Sequence, residues 1–388
     1  MGGIADYSGS LVLQLPTPDR GNLAFVARSP TDTGCEPHLC ASSTCAEPAS
    51  FALPIASLVE CASPSDVRSA LAAAAAPRWA MYALGVVGLL HAESWIDLGA
   101  EPGADLLLAI ASNLPQGKGL ASSASVEVAV AKACVAAFGA ALDDKALALL
   151  CQRVENFVVG APCGIMDQLA CALGAPGALL AIVCRPAQID GLVAIPPGLT
   201  VIDVDSGASH ELADSGSAYT VVRAAAFIGA KLLGVSCLTA DVTVAQLDAL
   251  LPTLPETLEA DGFVARFGSL DAHLDAGVTP LEAGVAYPVR ASVAHAVREH
   301  QRVRLFRQLL ATPVPAAETK ALLGELMLAS HASYTRLGLG SAATDAIVTR
   351  AVALPGVWGA KVTGGGGGGV VAILCDDHAV ELVRSSFS

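Results

Sequence analysis

The segment Leu114–Ser125 combines glycines and serines at a spacing that suits phosphate binding. Gly117 and Gly119 allow a ligand to approach the backbone closely, and Ser122 and Ser123 add hydroxyls where the next helix is predicted to start. The free amides of a helix's first turn and the positive end of its dipole attract anions. The segment is not a Walker A loop, which requires Gly-x4-Gly-Lys-Ser/Thr. The alternative is a glycine-rich turn with ordinary serine caps.

A second glycine-rich segment lies near the carboxyl end of the chain. Six consecutive glycines, Gly364–Gly369, separate the apolar runs 359–363 and 370–374. Glycine runs are usually flexible linkers, but a linker is out of place between two apolar strands. A glycine turn there would let another backbone or a ligand come close. The sequence therefore favours a close-packed turn, with a linker as the alternative.

Two carboxylates flank a third segment of interest. Glu155 lies near the end of a helix predicted over 146–158, and a Gly/Pro/Gly turn then presents Asp167. Such a pair could supply a magnesium ligand and an acid–base group. The alternative is a capping aspartate and a solvated glutamate. Cys163 lies between them, but it has no adjacent histidine, which disfavours a cysteine nucleophile.

Composition excludes several classes of protein. The 388 residues carry 36 acidic and 22 basic side chains, and the net charge of −14 disfavours nucleic acid and anionic membranes as partners. No apolar run approaches the roughly 20 residues of a spanning helix, and no signal-peptide pattern opens the sequence. The 11 scattered cysteines suit reduced thiols in the cytoplasm. The spacing of Cys35, Cys40 and Cys45 disfavours a zinc site.

Hydrophobic periodicity and capping residues predict the elements that must position these groups. A buried strand over 105–111 leads into the phosphate-binding segment, and an alanine-rich helix over 122–139 follows it. Residues 29–50, rich in proline, serine, threonine and cysteine, are interpreted as a surface insertion. Further helices are predicted over 219–233, 292–311 and 316–331, and a closing strand–turn–strand is predicted over 359–374. Strands and helices that mix without strict alternation indicate an α+β protein of two domains.

Together and in this order, the three segments resemble the GHMP kinase superfamily. Pro115–Ala124 matches that family's phosphate loop, Pro-x3-Gly-Leu-x-Ser-Ser-Ala, and Lys361–Gly366 matches its glycine loop. The resemblance implies a two-domain GHMP kinase fold, with a ribosomal S5 domain 2-like N-terminal domain over 1–185 and a ferredoxin-like C-terminal domain over 186–388. Relative to the family, the chain looks clipped at both ends, since it begins inside the first motif.

Residues 154–168 narrow the resemblance to the galactokinase branch and, with residues 2–14, to the kinase domain of plant-type L-arabinokinase. Galactokinases carry Gly-Glu-His-Thr-Asp-Tyr where this chain has Gly2–Tyr7, and their glutamate and histidine hold the C6 hydroxymethyl group of galactose. Gly3 and Ile4 offer that hydroxyl no partner, and burying it unpaired would cost about 1–3 kcal/mol. L-arabinose lacks C6, so the resemblance implies an ATP-dependent L-arabinose 1-kinase, with galactokinase as the alternative.

The resemblance also implies a role for each matching residue. Asp167 would be catalytic, close to the anomeric hydroxyl of the sugar, and Ser123 and Glu155 would bind Mg²⁺. ATP would contact Pro115, Gly117, Gly119, Leu120, Ser122, Ser123, Ala124, Gly365 and Gly366. The sugar would contact Asp6, Tyr7, Gly164, Asp167 and Tyr219. The expected partners are sugar and ATP, without nucleic acid or membrane, and the expected state is a monomer or a weak homo-oligomer.

One departure from the family bears on activity. The family's first motif begins with an Ala-Pro-Gly-Arg segment whose arginine lies beside the catalytic aspartate, and this sequence begins after that segment. The arginine would lower the pKa of the aspartate and neutralise transferred charge. A non-catalytic relative that binds sugar or ATP is therefore a third interpretation.

Overall fold

A computed structural model describes residues 1–17, 19–31, 35–100, 103–208 and 217–387. The chain forms two compact units that interleave along the sequence. The larger unit takes the described residues of 1–16, 116–120 and 175–388, and the smaller unit takes those of 17–115 and 121–174. The family-domain boundary predicted after residue 185 is a different division, and it stays a prediction.

Strands and helices are numbered in chain order. The strands in the described residues are β1 (Leu11–Gln14), β2 (Asn22–Pro30), β3 (His38–Ser43), β4 (Ser50–Pro54), β5 (Ala104–Ser112), β6 (Ala178–Val183), β7 (Gln188–Ala194), β8 (Leu199–Asp205), β9 (Leu258–Glu259), β10 (Ala286–Tyr287), β11 (Val357–Val362) and β12 (Val370–Asp376). The α-helices there are α1 (Ala56–Val59), α2 (Pro64–Ala73), α3 (Arg78–Ala92), α4 (Ser122–Phe138), α5 (Asp144–Arg153), α6 (Met166–Leu173), α7 (Ala218–Leu233), α8 (Leu238–Asp241), α9 (Val244–Leu250), α10 (Ala260–Phe267), α11 (Val289–Leu310), α12 (Ala317–Arg336), α13 (Ala342–Val352) and α14 (Val380–Phe387). Shorter 3-10 helices span Gly3–Ser8, Leu251–Thr253 and Asp377–Ala379, and a π-helix spans Val154–Val159.

The smaller unit is built on a four-stranded sheet in the order β2-β5-β3-β4. β3 and β5 run parallel, and the other neighbours are antiparallel. Strand β5 buries Leu106, Leu108 and Ile110 on one face, as the twofold alternation of a strand requires. β5 ends at Ser112 and α4 begins at Ser122, so the segment that resembles a phosphate loop connects a strand to a helix, as predicted.

One local prediction in the smaller unit is wrong, and another needs a change of helix type. Residues 29–50 are not simply a surface insertion, because β3 lies inside the sheet and pairs with both β5 and β4. Alternating burial of Leu39 and Ala41 marks the strand, but the surrounding proline, serine and threonine residues obscured it. The helix predicted over 146–158 is helical throughout, and it changes type after Arg153, where the wider π-helix begins. Single π turns of this kind often occur at functional sites.

The larger unit contains two antiparallel three-stranded sheets, in the orders β1-β6-β7 and β11-β12-β8, and the short ribbon of β9 and β10. Helix α11 packs on α7, and α12 packs on β11. One apolar cluster of this unit gathers aromatic side chains with Ile4, among them Tyr7, Tyr219 and Tyr334. Within the described residues, none of the helices combines the length and the apolar character needed to cross a membrane.

Candidate active site

Three polar side chains that the sequence singles out meet in the smaller unit. Asp167 lies in the first turn of α6, Glu155 in the π-helix and Ser123 in the first turn of α4. The Ser123 hydroxyl donates a hydrogen bond to the Glu155 carboxylate, and the charge of Asp167 raises the pKa of that carboxylate. The structure thus brings the predicted catalytic aspartate together with both predicted magnesium ligands.

Burial changes the acidity of both carboxyl groups. It raises the pKa of Asp167 to about 6. It also raises the pKa of Glu155 to about 7, a rise that hydrogen bonds from Ser123 and Gln168 oppose and that the charge of Asp167 increases. A carboxylate whose pKa lies near the working pH is an effective general base. The charge of Asp167 raises the pKa of Glu155, and a bound cation would relieve this repulsion.

Two residues that the sequence analysis missed complete this cluster. The side-chain amide of Gln168 donates to Glu155 at 2.7 Å and to Glu127 at 3.4 Å. Gln168 and Glu127 are both fully buried, and burial raises the pKa of Glu127 well above its usual value. Glu127 follows Ser123 by four residues, which places the two on one face of α4. That spacing is the signal that could have revealed Glu127.

The turn between the π-helix and α6 presents Gly164 and is held by Asn156. The side-chain oxygen of Asn156 accepts a hydrogen bond from the Cys163 amide at 2.8 Å. Its side-chain nitrogen and that of Gln152 each donate to the Cys163 carbonyl at 3.4 Å. Asn156 therefore fixes the conformation of the turn that joins Glu155 to Asp167.

Helix α4 starts without a side-chain cap. Its N-cap residue, Ala121, has φ 56° and ψ 38°, in the left-handed region, and its side chain cannot accept a hydrogen bond. That conformation costs a non-glycine residue about 1–2 kcal/mol, and such strain is typical of functional sites. The first backbone amides of α4, among them those of Ser122 and Ala124, are therefore suited to bind an anion. They directly follow the loop that contains Pro115 and Leu120.

Residues 116–120 and the glycine loop, Gly364–Gly369, meet in the larger unit. The Val370 amide donates to the Lys118 carbonyl at 3.0 Å, and the Thr363 hydroxyl donates to the Gly119 carbonyl at 3.3 Å. A side chain at Gly369 would lie 2.5 Å from the Lys118 carbonyl oxygen, so glycine is required there. Two backbones pack directly against each other, which a flexible linker would not do. Gly117 is exposed, whereas Gly365 and Gly366 are buried.

The predicted sugar contacts Asp6 and Tyr7 lie in the 3-10 helix Gly3–Ser8, which we call the N-terminal turn. The side chain of Asp6 is buried and accepts a hydrogen bond from the Tyr7 amide at 2.7 Å. The ring of Tyr7 lies edge to face with that of Tyr219, with their centres 6.2 Å apart. Both rings belong to the apolar cluster of this unit, so the turn is anchored by aromatic packing.

Arg223 is a further residue that the sequence analysis missed. It forms a buried ion pair with Asp275, with contacts of 2.8 Å from Nε and 3.0 Å from Nη2. Its guanidinium lies 5.5 Å from the centre of the Tyr7 ring, and its charge interacts with that of Asp6. Its Nη1 has no hydrogen-bond partner among the described residues. No local pattern marks an ion pair whose members are 52 residues apart.

The residues of the smaller unit fit a magnesium ion that is shared with phosphate. Mg²⁺ takes one or two protein oxygens and completes its shell with water and substrate phosphates. Ser123 and Glu155 offer two such oxygens side by side. Across the ranges that the structure describes, no three His, Cys, Asp or Glu side chains are arranged to hold a metal. A metal at Ser123 and Glu155 would therefore depend on the phosphates of a nucleotide.

The predicted residues thus fall into two groups, one in each unit. Ser123, Glu155, Gly164 and Asp167 lie in the smaller unit, and the N-terminal turn, Tyr219 and the glycine loop lie in the larger unit. An open groove of about 930 Å³ also occurs in the larger unit, between β7 and the end of α11. None of the predicted site residues lines this groove.

Two family models match parts of this chain. The GHMP kinases N terminal domain matches residues 81–175, and the GHMP kinases C terminal domain matches residues 314–388. A galactokinase of Chloroflexus aggregans is 35% identical and covers 78% of this chain, which in turn spans 68% of that protein. The chain belongs to the GHMP kinase superfamily, and the expected two-domain GHMP kinase fold is confirmed.

Individual relatives include plant and bacterial sugar kinases. An L-arabinokinase of Arabidopsis thaliana is 31% identical over 96% of this chain, which spans 41% of that protein's length. The crystal structure of Lactococcus lactis galactokinase complexed with galactose superposes with a TM-score of 0.75 at 19% identity, covering 99% of this chain and 84% of that one. Methanococcus jannaschii mevalonate kinase superposes with a TM-score of 0.58 at 15% identity, covering 99% and 90%.

Proposed function

We propose that this chain is an ATP- and magnesium-dependent sugar 1-kinase that converts L-arabinose and ATP to β-L-arabinose 1-phosphate and ADP. The observation that carries the proposal is the cluster of Ser123, Glu155 and Asp167, in which the Ser123 hydroxyl donates to Glu155, the charge of Asp167 acts on Glu155, and both acids have raised pKa values. Similarity to an L-arabinokinase and to galactokinases supports a sugar as the phosphate acceptor. Oxygen ligands and a base are what phosphoryl transfer to a hydroxyl requires.

In the proposed reaction, Asp167 accepts the proton of the anomeric hydroxyl or holds that hydroxyl in line for attack. The sugar oxygen bonds to the γ-phosphorus of ATP, the bond from that phosphorus to the β,γ-bridging oxygen breaks, and ADP leaves. Mg²⁺, held by Ser123 and Glu155, would neutralise phosphate charge when bound. The phosphate and glycine loops would bind the nucleotide through backbone amides. Positioning and charge neutralisation then account for most of the catalysis.

The N-terminal turn supports a preference for a pentose. Asp6 would bind ring hydroxyls, and Tyr7, Gly164 and Tyr219 are proposed as further sugar contacts. Ile4 is fully buried in the apolar cluster, and Gly3 has no side chain, so neither supplies a polar partner for a C6 hydroxyl. An apolar environment rejects an additional hydroxyl by about a hundredfold. L-arabinose would therefore be preferred over D-galactose by a similar factor.

Galactokinase activity is the second candidate. The observation that favours it is the 35% identity to a galactokinase, of which this chain spans 68%. A non-catalytic protein that binds sugar or ATP is the third. The proposal also includes family domains at 1–185 and 186–388, a monomer or weak homo-oligomer, and a cytoplasmic location. The cytoplasmic location is supported by the 11 cysteines, all of which are free thiols in the structure.

The test is a coupled ADP-release assay on the full chain with magnesium-ATP and L-arabinose, D-galactose or no sugar. The variant Asp167→Asn removes the proposed base, and the expected loss of turnover is about 100- to 10,000-fold. Asp144→Asn is the matched control, because this half-exposed aspartate of the same unit forms an ion pair with Lys132 at 3.1 Å. Phosphorus NMR of the product identifies the carbon that carries the phosphate.

Each outcome separates the candidates. Turnover on L-arabinose that disappears in Asp167→Asn and persists in Asp144→Asn supports the proposal. A higher kcat/KM on D-galactose would replace L-arabinose with the second candidate. No turnover on either sugar, from protein that unfolds cooperatively and binds ATP, would leave the non-catalytic interpretation.

A further inference from the structure

Position 3 of the N-terminal turn has no room for a side chain. A Cβ atom built on Gly3 would collide with the Tyr334 hydroxyl and would lie 2.8 Å from the Gly364 carbonyl oxygen. Gly3 is not among the glycines with a positive φ, so its backbone conformation would accept other residues. The need for glycine at position 3 therefore arises from its two neighbours, the Tyr334 hydroxyl, which is the nearer, and the Gly364 carbonyl.

The Tyr334 hydroxyl connects two segments that are far apart in sequence. It accepts a hydrogen bond from the Ile4 amide at 3.0 Å and donates one to the Gly364 carbonyl at 3.1 Å. The first partner lies in the N-terminal turn, and the second begins the glycine loop. One phenolic oxygen thus joins the proposed sugar-binding segment to a proposed nucleotide-binding segment within the larger unit.

The ring of Tyr334 is held in place from several sides. It is fully buried and belongs to the same apolar cluster as Ile4 and Tyr7. The ring of His295 meets it edge to face at 5.6 Å, and the Lys361 ammonium lies 4.9 Å from its centre. Because the ring is fixed in this way, the hydroxyl cannot move aside to admit a side chain at position 3.

We propose that Tyr334 determines sugar selectivity and positions the N-terminal turn, because its hydroxyl takes the space of a side chain at position 3 and ties the turn to the glycine loop. This inference rests on the proposed sugar kinase function. An acidic side chain at position 3, as in the galactokinase motif, cannot be accommodated beside Tyr334. With Gly3 and Tyr334 in these positions, the site has no side chain at position 3 to bind a hydroxyl on the sixth carbon of a sugar. The hydrogen bonds of Tyr334 instead hold the N-terminal turn, and Asp6 stays in place for the ring hydroxyls.

The positioning role is tested by Tyr334→Phe, which removes the hydroxyl and keeps the ring. The KM values for L-arabinose and for ATP are both expected to rise roughly five- to tenfold, the effect of one lost hydrogen bond, with a smaller change in kcat. Tyr287→Phe is the matched control, because this buried hydroxyl in the same unit accepts a hydrogen bond from the Glu282 amide at 2.7 Å. If both variants lower the melting temperature alike and neither changes a KM, Tyr334 has only a structural role and the positioning proposal is overturned.

The selectivity role is tested by Gly3→Glu, Tyr334→Leu and the combination of the two. Gly3→Glu alone is expected to lose at least 100-fold in kcat/KM on both sugars, because the new side chain collides with Tyr334. The double variant is expected to recover at least tenfold and to shift the galactose-to-arabinose ratio of kcat/KM at least tenfold above that of Tyr334→Leu alone. Equal activity of Gly3→Glu with and without Tyr334 would overturn the proposal.

A thermal-unfolding experiment separates this inference from the proposed function. If the wild-type chain uses no sugar, the proposed kinase function fails and the selectivity role fails with it. The packing of position 3 against Tyr334 is still decided by a double-mutant cycle of Gly3→Ala and Tyr334→Phe. A smaller loss of melting temperature for Gly3→Ala in the Tyr334→Phe background supports the pairing, whereas strictly additive losses overturn it.

Discussion

Two buried glutamates, one in each unit, have opposite acidities. Glu299 of the larger unit is fully buried, and although burial alone would raise its pKa, the charges of Arg302 and Lys361 help to lower it to about 2. Glu155 of the smaller unit is 8% exposed, and burial raises its pKa to about 7. At neutral pH the same buried side chain is therefore ionised in one unit and only about half ionised in the other.

The difference lies in the partners of each carboxylate. Glu299 accepts hydrogen bonds from Arg302 Nε and Ser330 Oγ, each at 2.6 Å, and from the Gly2 amide at 3.2 Å. Glu155 has neutral donors, and no ion pair reaches it within the described part of the chain. A buried carboxylate that is paired with cationic side chains, such as Glu299, stabilises the fold. A buried carboxylate without such partners, such as Glu155, is suited to bind a metal cation.

Removing the charge of Glu299 is expected to have the largest effect on stability. Glu299→Gln leaves the buried Lys361 and the partly buried Arg302 without their counter-charge, and breaking a buried ion pair costs about 3–5 kcal/mol. Chemical denaturation measures the free energy of unfolding. Glu381→Gln is the control, since this exposed acid pairs with Arg384 at 3.1 Å and its loss is expected to cost under about 1 kcal/mol. Equal costs for the two variants would contradict the comparison.

The matching change at Glu155 is expected to affect activity and not stability. Glu155→Gln keeps the shape of the side chain and removes a poorly compensated charge, so the free energy of unfolding should stay constant or rise by about 1 kcal/mol. The kcat of the proposed kinase should fall about 100- to 1,000-fold, because charge stabilisation in the site is weakened. Glu60→Gln, at an exposed acid of the same unit, should change neither quantity. A large loss of stability in Glu155→Gln would show that Glu155 is structural.

The larger unit should also show a pH dependence that originates near Glu299. Burial lowers the pKa of His295 from 6.5 to about 4, and its ring bonds to Ser333 at 2.8 Å. In the unfolded chain His295 becomes protonated below about pH 6.5, whereas in the folded chain it becomes protonated only near pH 4. The free energy of unfolding should therefore fall as the pH drops from 6.5 to 4, by up to about 3 kcal/mol.

The contribution of His295 is isolated by comparing variants. Denaturation between pH 7 and pH 4 should show a shallower decline for His295→Gln than for the wild-type chain. His378→Gln, at an exposed histidine of the same unit, should decline as the wild type does. If the decline is equally steep in His295→Gln, another group is responsible.

The smallest expected effect concerns two alanines with left-handed backbones in the smaller unit. Ala121 precedes α4 with φ 56°, and the exposed Ala75 follows α2 with φ 53°. Replacing either with glycine should relieve strain and stabilise the fold by about 0.5–1 kcal/mol, after the greater freedom of glycine in the unfolded chain is subtracted. The KM for ATP should change only in Ala121→Gly, since Ala121 lies in the phosphate loop. Equal KM values in both variants would argue against phosphate binding there.

The sequence by itself determined the main elements and the order of the motifs. The strand before the phosphate loop, the helix after it and the closing strands around the glycine loop follow from local periodicity, glycine spacing and capping residues. These signals are short in range, so a single sequence carries them. Strand β3 was missed because its alternating burial is brief and its flanking residues are typical of loops.

Only the tertiary structure decided which side chains share a neighbourhood. Gln168 between two buried glutamates, Arg223 with Asp275, and Tyr334 over Gly3 each depend on contacts between distant parts of the chain. The opposite pKa shifts of Glu155 and Glu299 arise in the same way, because burial and neighbouring charge are properties of packing and not of residue type. A motif can therefore indicate which residues carry the chemistry, while their acidity and the space around them are set when the chain packs.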